Sequence, residues 1–229
     1  MLKLIAAGVI SAVISYLLGS CNSSIIVVRL LKHEDVREHG SKNAGLTNTL
    51  RCYGKFPALL TLIGDLAKGI VSVLLSILVF RIIIGEGNFN RQTVGYISGI
   101  FAILGHIFPI YYGFRGGKGV LVASSILLVI DWQTFVIIIP FFAVVLLISK
   151  YVSVSSISSA VFYPVLTFLL HYFVQHELLN TCIVHTALVA VTGILLIYMH
   201  RTNIQRLRNG TENKFFKKKN TDVKENSNG

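Results

Sequence analysis

Apolar residues run through this chain in long unbroken blocks rather than in the alternation of half-buried strands. The blocks fall near 4–28, 56–84, 94–112, 120–130, 134–149, 154–174 and 182–199, each divided from the next by a short polar stretch. Continuous runs of this kind predict membrane-crossing helices and exclude a transmembrane barrel, whose strands alternate apolar and polar residues. The block 120–130 stands apart, because eleven residues at ~1.5 Å rise cannot cross ~30 Å of hydrocarbon. It must be short, broken or sunk, and in the last case the residues before it lie in a recess. The pattern predicts an all-α polytopic membrane protein with about seven transmembrane helices, some short or broken. A single membrane domain covers 1–212, and 213–229 form a basic, flexible tail.

Composition agrees: 53% of residues are hydrophobic, 14% are charged and the mean hydropathy is +0.69, which no soluble globular domain shows. The net charge of +11 would suggest nucleic acid in a soluble protein. Here its distribution argues otherwise. The polar stretches 29–55, 113–119, 150–153 and the tail from 200 fall on one side and hold 17 of the 21 Lys and Arg. Positive-inside reasoning therefore puts the N-terminus outside and the C-terminus in the cytoplasm, with the Lys-rich tail drawn to anionic headgroups. Leu18-Gly19-Ser20-Cys21 looks like a lipid-anchor cleavage site, but the leader has only Lys3 and the apolar run resumes at Ile25-Ile26-Val27-Val28. Three cysteines without a CxxC pair give neither a disulfide framework nor a metal spacing, and no metal or cofactor is expected.

The candidate chemistry gathers on the basic side. In GHIFPIYYGFRGGKG (105–119), Gly116, Gly117 and Gly119 offer bare backbone N–H groups beside Arg115 and Lys118, just before a helix start. This suits an anion, although interfacial cations at a membrane edge have the same composition. His106, one turn before Pro109, can reach inward as a hydrogen-bonder or a base. Gly40-Ser41-Lys42-Asn43-Ala44-Gly45-Leu46-Thr47-Asn48, followed by Arg51, can form an anion nest or an ordinary turn and cap. Asp65 and Lys68 share a helix face as an intramembrane ion pair that supports the site. Gly95 and Gly99 have the spacing of close helix packing. Ser153 and Ser156 begin a helix on the same side, and His200, Asn203 and Arg206 recur every three residues where the last block leaves the membrane. His171, His176 and His185 fall on the opposite side and receive no role.

Taken together, GSKNAGLTNTLR (40–51), GDLAKG (64–69), GHIFPIYYGFRGGKG (105–119), YVSVSS (151–156) and HRTNIQRLRNGTE (200–212) resemble the bacterial acyl-phosphate:glycerol-3-phosphate acyltransferase family. The resemblance implies transfer of a fatty acyl group from acyl phosphate to the 1-hydroxyl of glycerol 3-phosphate, giving lysophosphatidic acid and inorganic phosphate. It makes the chain a multi-pass enzyme of the bacterial cell membrane that faces the cytoplasm, works as a monomer alongside an enzyme that forms acyl phosphate, and has no nucleic-acid partner. It casts Lys118, Arg51 and Ser41 as catalytic. Gly40, Asn43, Asn48, His106, Gly116, Gly117, Gly119, Ser153, Ser156, His200 and Asn203 are substrate-binding, and Asp65, Lys68 and Glu212 give structural support. The chain departs from the family pattern at Lys42, where a glycine is usual, and at Leu46, where an alanine is usual. An acyl phosphate is already activated, so positioning and charge stabilisation suffice without a covalent intermediate. The patterns of a nucleotide P-loop and a zinc protease are missing: Tyr112 and Gly119 replace the required Gly and Ser/Thr, and His33-Glu34 is not followed by a second histidine. The alternative from another class is a transporter for an anionic solute.

Overall fold

The computed structural model describes residues 1–215 of the 229. Among them the chain is helical throughout: α1 (Leu2–Ser20), α2 (Ser23–Lys32), α3 (Leu46–Tyr53), α4 (Lys55–Ile84), α5 (Arg91–Ile107), α6 (Val120–Ile130), α7 (Trp132–Ser149), α8 (Val152–Leu169), α9 (Leu179–Met199) and α10 (Arg201–Arg208). Six stretches are long and apolar enough to cross a membrane, and α6 is the short eleven-residue helix expected. The lipid-anchoring tail expected over 213–229 lies, from residue 216 on, outside the described residues.

The first block is not one helix. It breaks after Ser20, because Asn22 caps α2 by accepting from the Ile25 N–H at 3.2 Å. The same side chain donates to the Ala44 carbonyl at 3.3 Å and so ties the break to the first polar loop. A second departure lies at the end of α8, where Leu170–Val174 widens into a π turn.

The core is built around α5, which packs on α1, α4, α6 and α9. Gly95 and Gly99 provide the expected close approach, since a Cβ at either would overlap Ile130 or Ile126 of α6. Val73, Ala102, Ile103, Ile107, Val122 and Ile126 then fill the space between α4, α5 and α6. Lipid tails are as apolar as these side chains, so the gain there is close van der Waals packing rather than removal of apolar surface from water. Apolar residues elsewhere face outward, including Leu59, Leu74, Val136, Ile148, Val165 and Ile194, as a chain solvated by lipid requires. With α4, α5 and α9 spanning the full height, the half-height α6 leaves a recess above its N-terminus.

Candidate active site

The first wall of that recess is the loop from His33 to Gly45 with α3. Asn48 organises it: its amide donates to the carbonyls of Val36 and His39 at 3.1 and 3.0 Å, and its oxygen accepts from the Ser41 N–H at 2.9 Å. Gly40 has φ 59°, and a Cβ there would press on Asn48 and Cys52. Both residues therefore shape the turn. Gly40 does not line the recess, whereas Asn48 does, with its amide engaged in holding the loop. Lys42 also has positive φ, 60°, so the position where the family pattern has glycine does adopt the left-handed conformation and a lysine tolerates it at a cost. Ser41, Asn43 and Arg51 do line the recess.

The second wall is the hairpin after α5. Lys68 of α4 sits 2.8 Å from His106 Nδ1 and donates to the Cys21 carbonyl at 3.2 Å. Its ammonium also lies 2.9 Å from Asp65, a charge contact outside good hydrogen-bond alignment. An ammonium has only donors, so His106 Nδ1 accepts and Nε2 carries the ring proton. His106 thus has a fixed tautomer and lines the recess, and the Asp65–Lys68 pair supports it.

Gly116 and Gly117 do not offer their N–H groups to the recess as expected. Their N–H groups donate to the carbonyls of Ile107 and His106 at 3.0 and 3.1 Å, and neither residue lines the recess. They are glycine because a Cβ would overlap the His106 backbone at Gly116 and the His106 ring at Gly117. Arg115 is exposed and points elsewhere; its carbonyl accepts from Arg37, which also donates to the Tyr112 carbonyl and pairs with Asp35. That guanidinium holds the Asp35 carboxyl well below its usual range. The anion-binding feature that survives is the start of α6, where Gly119 has φ 85° and no side chain caps the first turn. Its free N–H groups and Lys118 face the recess together.

The third wall comes from α8, α9 and α10. His200 closes α9 and donates from Nδ1 to the Leu196 carbonyl at 2.8 Å, which leaves Nε2 as an acceptor. Glu212, beyond α10, accepts from Ser153 at 2.9 Å, from Asn203 at 2.6 Å and from Arg206 Nε at 2.9 Å. The Asn203 oxygen in turn accepts from Lys118. Burial pushes the Glu212 carboxyl up, but donation from Asn203, Ser153 and Arg206 outweighs it and holds the carboxyl below its usual range. Ser156 donates to the Val152 carbonyl at 2.9 Å. The Phe215 N–H donates to the Lys150 carbonyl, and Asn213 and Phe215 line the recess.

These walls enclose a cavity of about 450 Å³. One end holds Ser41, Arg51, Lys118, Ser153, His200, Asn203 and Arg206. The other is apolar, with Leu62, Leu66, Leu127, Phe135, Ile138, Phe142 and Tyr163. Burial and the Arg206 charge push the Lys118 ammonium down to about 8, and burial beside Lys118 pushes His200 down to about 4. The cavity therefore presents a neutral imidazole and a cation that an incoming anion would stabilise. Arg206 and the apolar wall were not among the expected site residues. Arg206 carried a signal, as the third member of the 200/203/206 series, whereas the groove arises only where α4, α6, α7 and α8 meet.

Fold and cavity define a class, that of multi-pass helical membrane proteins with a cation-lined recess continuous with an apolar groove. Residues 9–210 match the glycerol-3-phosphate acyltransferase family, and the chain belongs to it. A glycerol-3-phosphate acyltransferase from Ureaplasma urealyticum serovar 10 is 37% identical over 228 residues, covering 91% of this chain and 90% of its own. One from Coxiella burnetii strain CbuG_Q212 is 38% identical over 208 residues, covering 91% and 98%. The crystal structure of PlsY (YgiH), an integral membrane glycerol 3-phosphate acyltransferase, in its glycerol 3-phosphate form superposes with a TM-score of 0.74 at 30% identity, covering 90% of this chain and 94% of that one. Its lysophosphatidic acid form gives 0.72 at 29%. The chain is accordingly a multi-pass membrane acyltransferase of phospholipid synthesis.

Proposed function

We propose that this enzyme moves a fatty acyl group from acyl phosphate to the 1-hydroxyl of glycerol 3-phosphate, releasing lysophosphatidic acid and inorganic phosphate on the cytoplasmic side. The observation that carries the reading is the position of Lys118, at the open N-terminus of α6 where the cation-lined end of the cavity meets the apolar groove. Both substrates bear phosphate and one bears an alkyl chain, and the two halves of the cavity match those parts. The cytoplasmic orientation rests on the one-sided Lys and Arg distribution.

In this reading the chain lies among Leu62, Leu66, Leu127, Phe135, Ile138 and Phe142, and its carbonyl carbon comes to rest beside Lys118. Arg51, which makes no hydrogen bond among the described residues, Ser41 and the N–H groups of α6 hold phosphate oxygens. Ser153, Asn203 and Arg206 exchange part of their bonding to Glu212, and Lys118 its bond to Asn203, for the glycerol phosphate, while Asn43, Ser156 and His106 border it. The glycerol oxygen attacks the carbonyl carbon, the carbonyl oxygen takes up charge near Lys118, and the bond to the phosphate oxygen then breaks. The hydroxyl proton leaves on substrate phosphate. His200 Nε2 can accept from the glycerol hydroxyl and orient it, but a basicity near 4 makes it a poor proton store. The enzyme works as a monomer beside a source of acyl phosphate.

The test is phosphate release from palmitoyl phosphate with purified protein, with coenzyme-A and carrier-protein thioesters as controls. Release that depends on glycerol 3-phosphate, forms lysophosphatidic acid and is lost in Lys118→Ala supports the reading. Turnover with a thioester alone would overturn the donor assignment, and binding of glycerol phosphate with no transfer would favour a transporter.

A further inference from the structure

At the other end of the bundle, three residues given no part in the reaction converge. His171 Nδ1, His185 Nδ1 and Glu177 Oε2 form a nearly equilateral triangle with edges of 3.1, 3.1 and 3.2 Å. Both imidazoles are fully buried, while Glu177, on the loop between α8 and α9, keeps a partly exposed side chain. We propose that this triangle is a divalent metal site, best suited to Zn²⁺, which ties the α8–α9 loop to α5 and α7.

Geometry carries it, and the ligand orientation and charge agree. A tetrahedral zinc with bonds of ~2.0–2.1 Å separates its ligand atoms by roughly 3.3–3.4 Å, so the triangle is within a few tenths of an ångström of that spacing. A metal at that distance from all three atoms would stand roughly 1 Å off their plane, with a fourth position left for water. The outer ring nitrogens are already oriented. His171 Nε2 lies 3.1 Å from Asp131, whose carboxylate also accepts from Tyr96 at 2.9 Å and from Thr134, and His185 Nε2 lies 2.9 Å from Thr93. This is the carboxylate–histidine support that metal-bound imidazoles use. Because Nε2 donates to Asp131, neutral His171 presents a lone pair at Nδ1, aimed at a second imidazole nitrogen and a carboxylate. A single proton can satisfy one edge of that triangle, whereas a cation in its middle satisfies all three. Among the described residues Asp131 and Glu177 pair only with His171 and His185, with no Lys or Arg beside them, and a dication would balance their two charges. The π turn at Leu170–Val174 sets His171 into the triangle. No motif announces the site, since the ligands are spaced by six and eight residues across an irregular segment.

The experiment uses full-length protein in detergent, carrying no polyhistidine tag and stripped with chelator. Zn²⁺ alone is titrated with thermal unfolding and elemental analysis as readouts, and Co²⁺ alone with visible absorption. The expected result is one ion per chain, a raised unfolding midpoint and the intense d–d bands of a tetrahedral Co²⁺ site. Glu177→Gln, a near-isosteric change on a loop, and His185→Gln should weaken binding at least tenfold, and Asp131→Asn by roughly 10–100-fold, with acyl transfer retained in Glu177→Gln. No bound ion and no midpoint shift in the unmodified protein would overturn the proposal and leave a proton-shared His–Glu network, as would undiminished binding in a folded Glu177→Gln.

Discussion

Raising the pH through 8 should weaken glycerol 3-phosphate binding, and the size of the effect follows from Lys118. Its ammonium is pushed down to about 8 by burial and by the Arg206 charge. A bound dianion favours the charged form, so binding must re-protonate the lysine whenever the free site has lost its proton. The lysine is about nine-tenths charged at pH 7 and about one-tenth charged at pH 9, so Kd rises roughly tenfold over that interval, or about 1.4 kcal/mol. A lysine with the ordinary value near 10.4 would leave Kd almost flat over the same range. Isothermal titration in two buffers of different ionisation enthalpy tests this directly, since close to one proton should be taken up per ligand at pH 9 and very few at pH 7. Lys118→Met should lose the pH dependence and bind 10–100-fold more weakly at pH 7, the magnitude of a charge-assisted hydrogen bond. A flat Kd to pH 9 in the unmodified enzyme would refute the depressed lysine. The same dependence persisting in Lys118→Met would assign it to another group.

Lys42→Gly should raise the unfolding midpoint, because it relieves about 1–2 kcal/mol of left-handed strain and returns only about 0.5–1 kcal/mol in chain entropy. Gly117→Ala should cost about 1–3 kcal/mol and abolish activity, since the new methyl displaces the His106 ring, seen as a lowered midpoint with lost turnover. Glu212→Ala should loosen Ser153, Asn203 and Arg206 together and lower the midpoint by the equivalent of about 1–3 kcal/mol, read by thermal unfolding in detergent. Ala160→Phe should fill the deep end of the groove and shift preference to shorter acyl phosphates, with roughly fourfold in KM for each methylene left without a place, measured over a chain-length series.

The membrane segments were legible because lipid requires long apolar runs, and the half-height α6 was legible from its length alone. The break at Asn22 was not, since hydropathy averages over a cap that is visible only as an Asn ahead of Ser23-Ser24. Ser41, Arg51, Lys118, Ser153, His200 and Asn203 were legible through the family resemblance of the motifs that carry them, and the structure brings all six to one cavity. The apolar groove was hidden because its residues are the same Leu, Ile and Phe that face lipid elsewhere, and only helix crossing separates the two uses.

Gly116 and Gly117 show why a glycine-rich turn misleads. A glycine signals either a bare N–H or a close approach, and composition cannot separate the two. Here the pair lets the chain return against His106, so its N–H groups are consumed by carbonyls rather than offered to a ligand. That return carries Lys118 to the head of α6 and packs the His106 ring, whose other nitrogen is bonded to Lys68 in the second apolar block. The buried Asp65–Lys68 pair, the fixed histidine and the glycine hairpin therefore form one support for a single ammonium. A buried ion pair adds little net stability over apolar packing. Its place in α4 is explained by what it positions: a methyl at Gly117 and the loss of Lys68 should fail in the same way, by letting Lys118 drift from the start of α6.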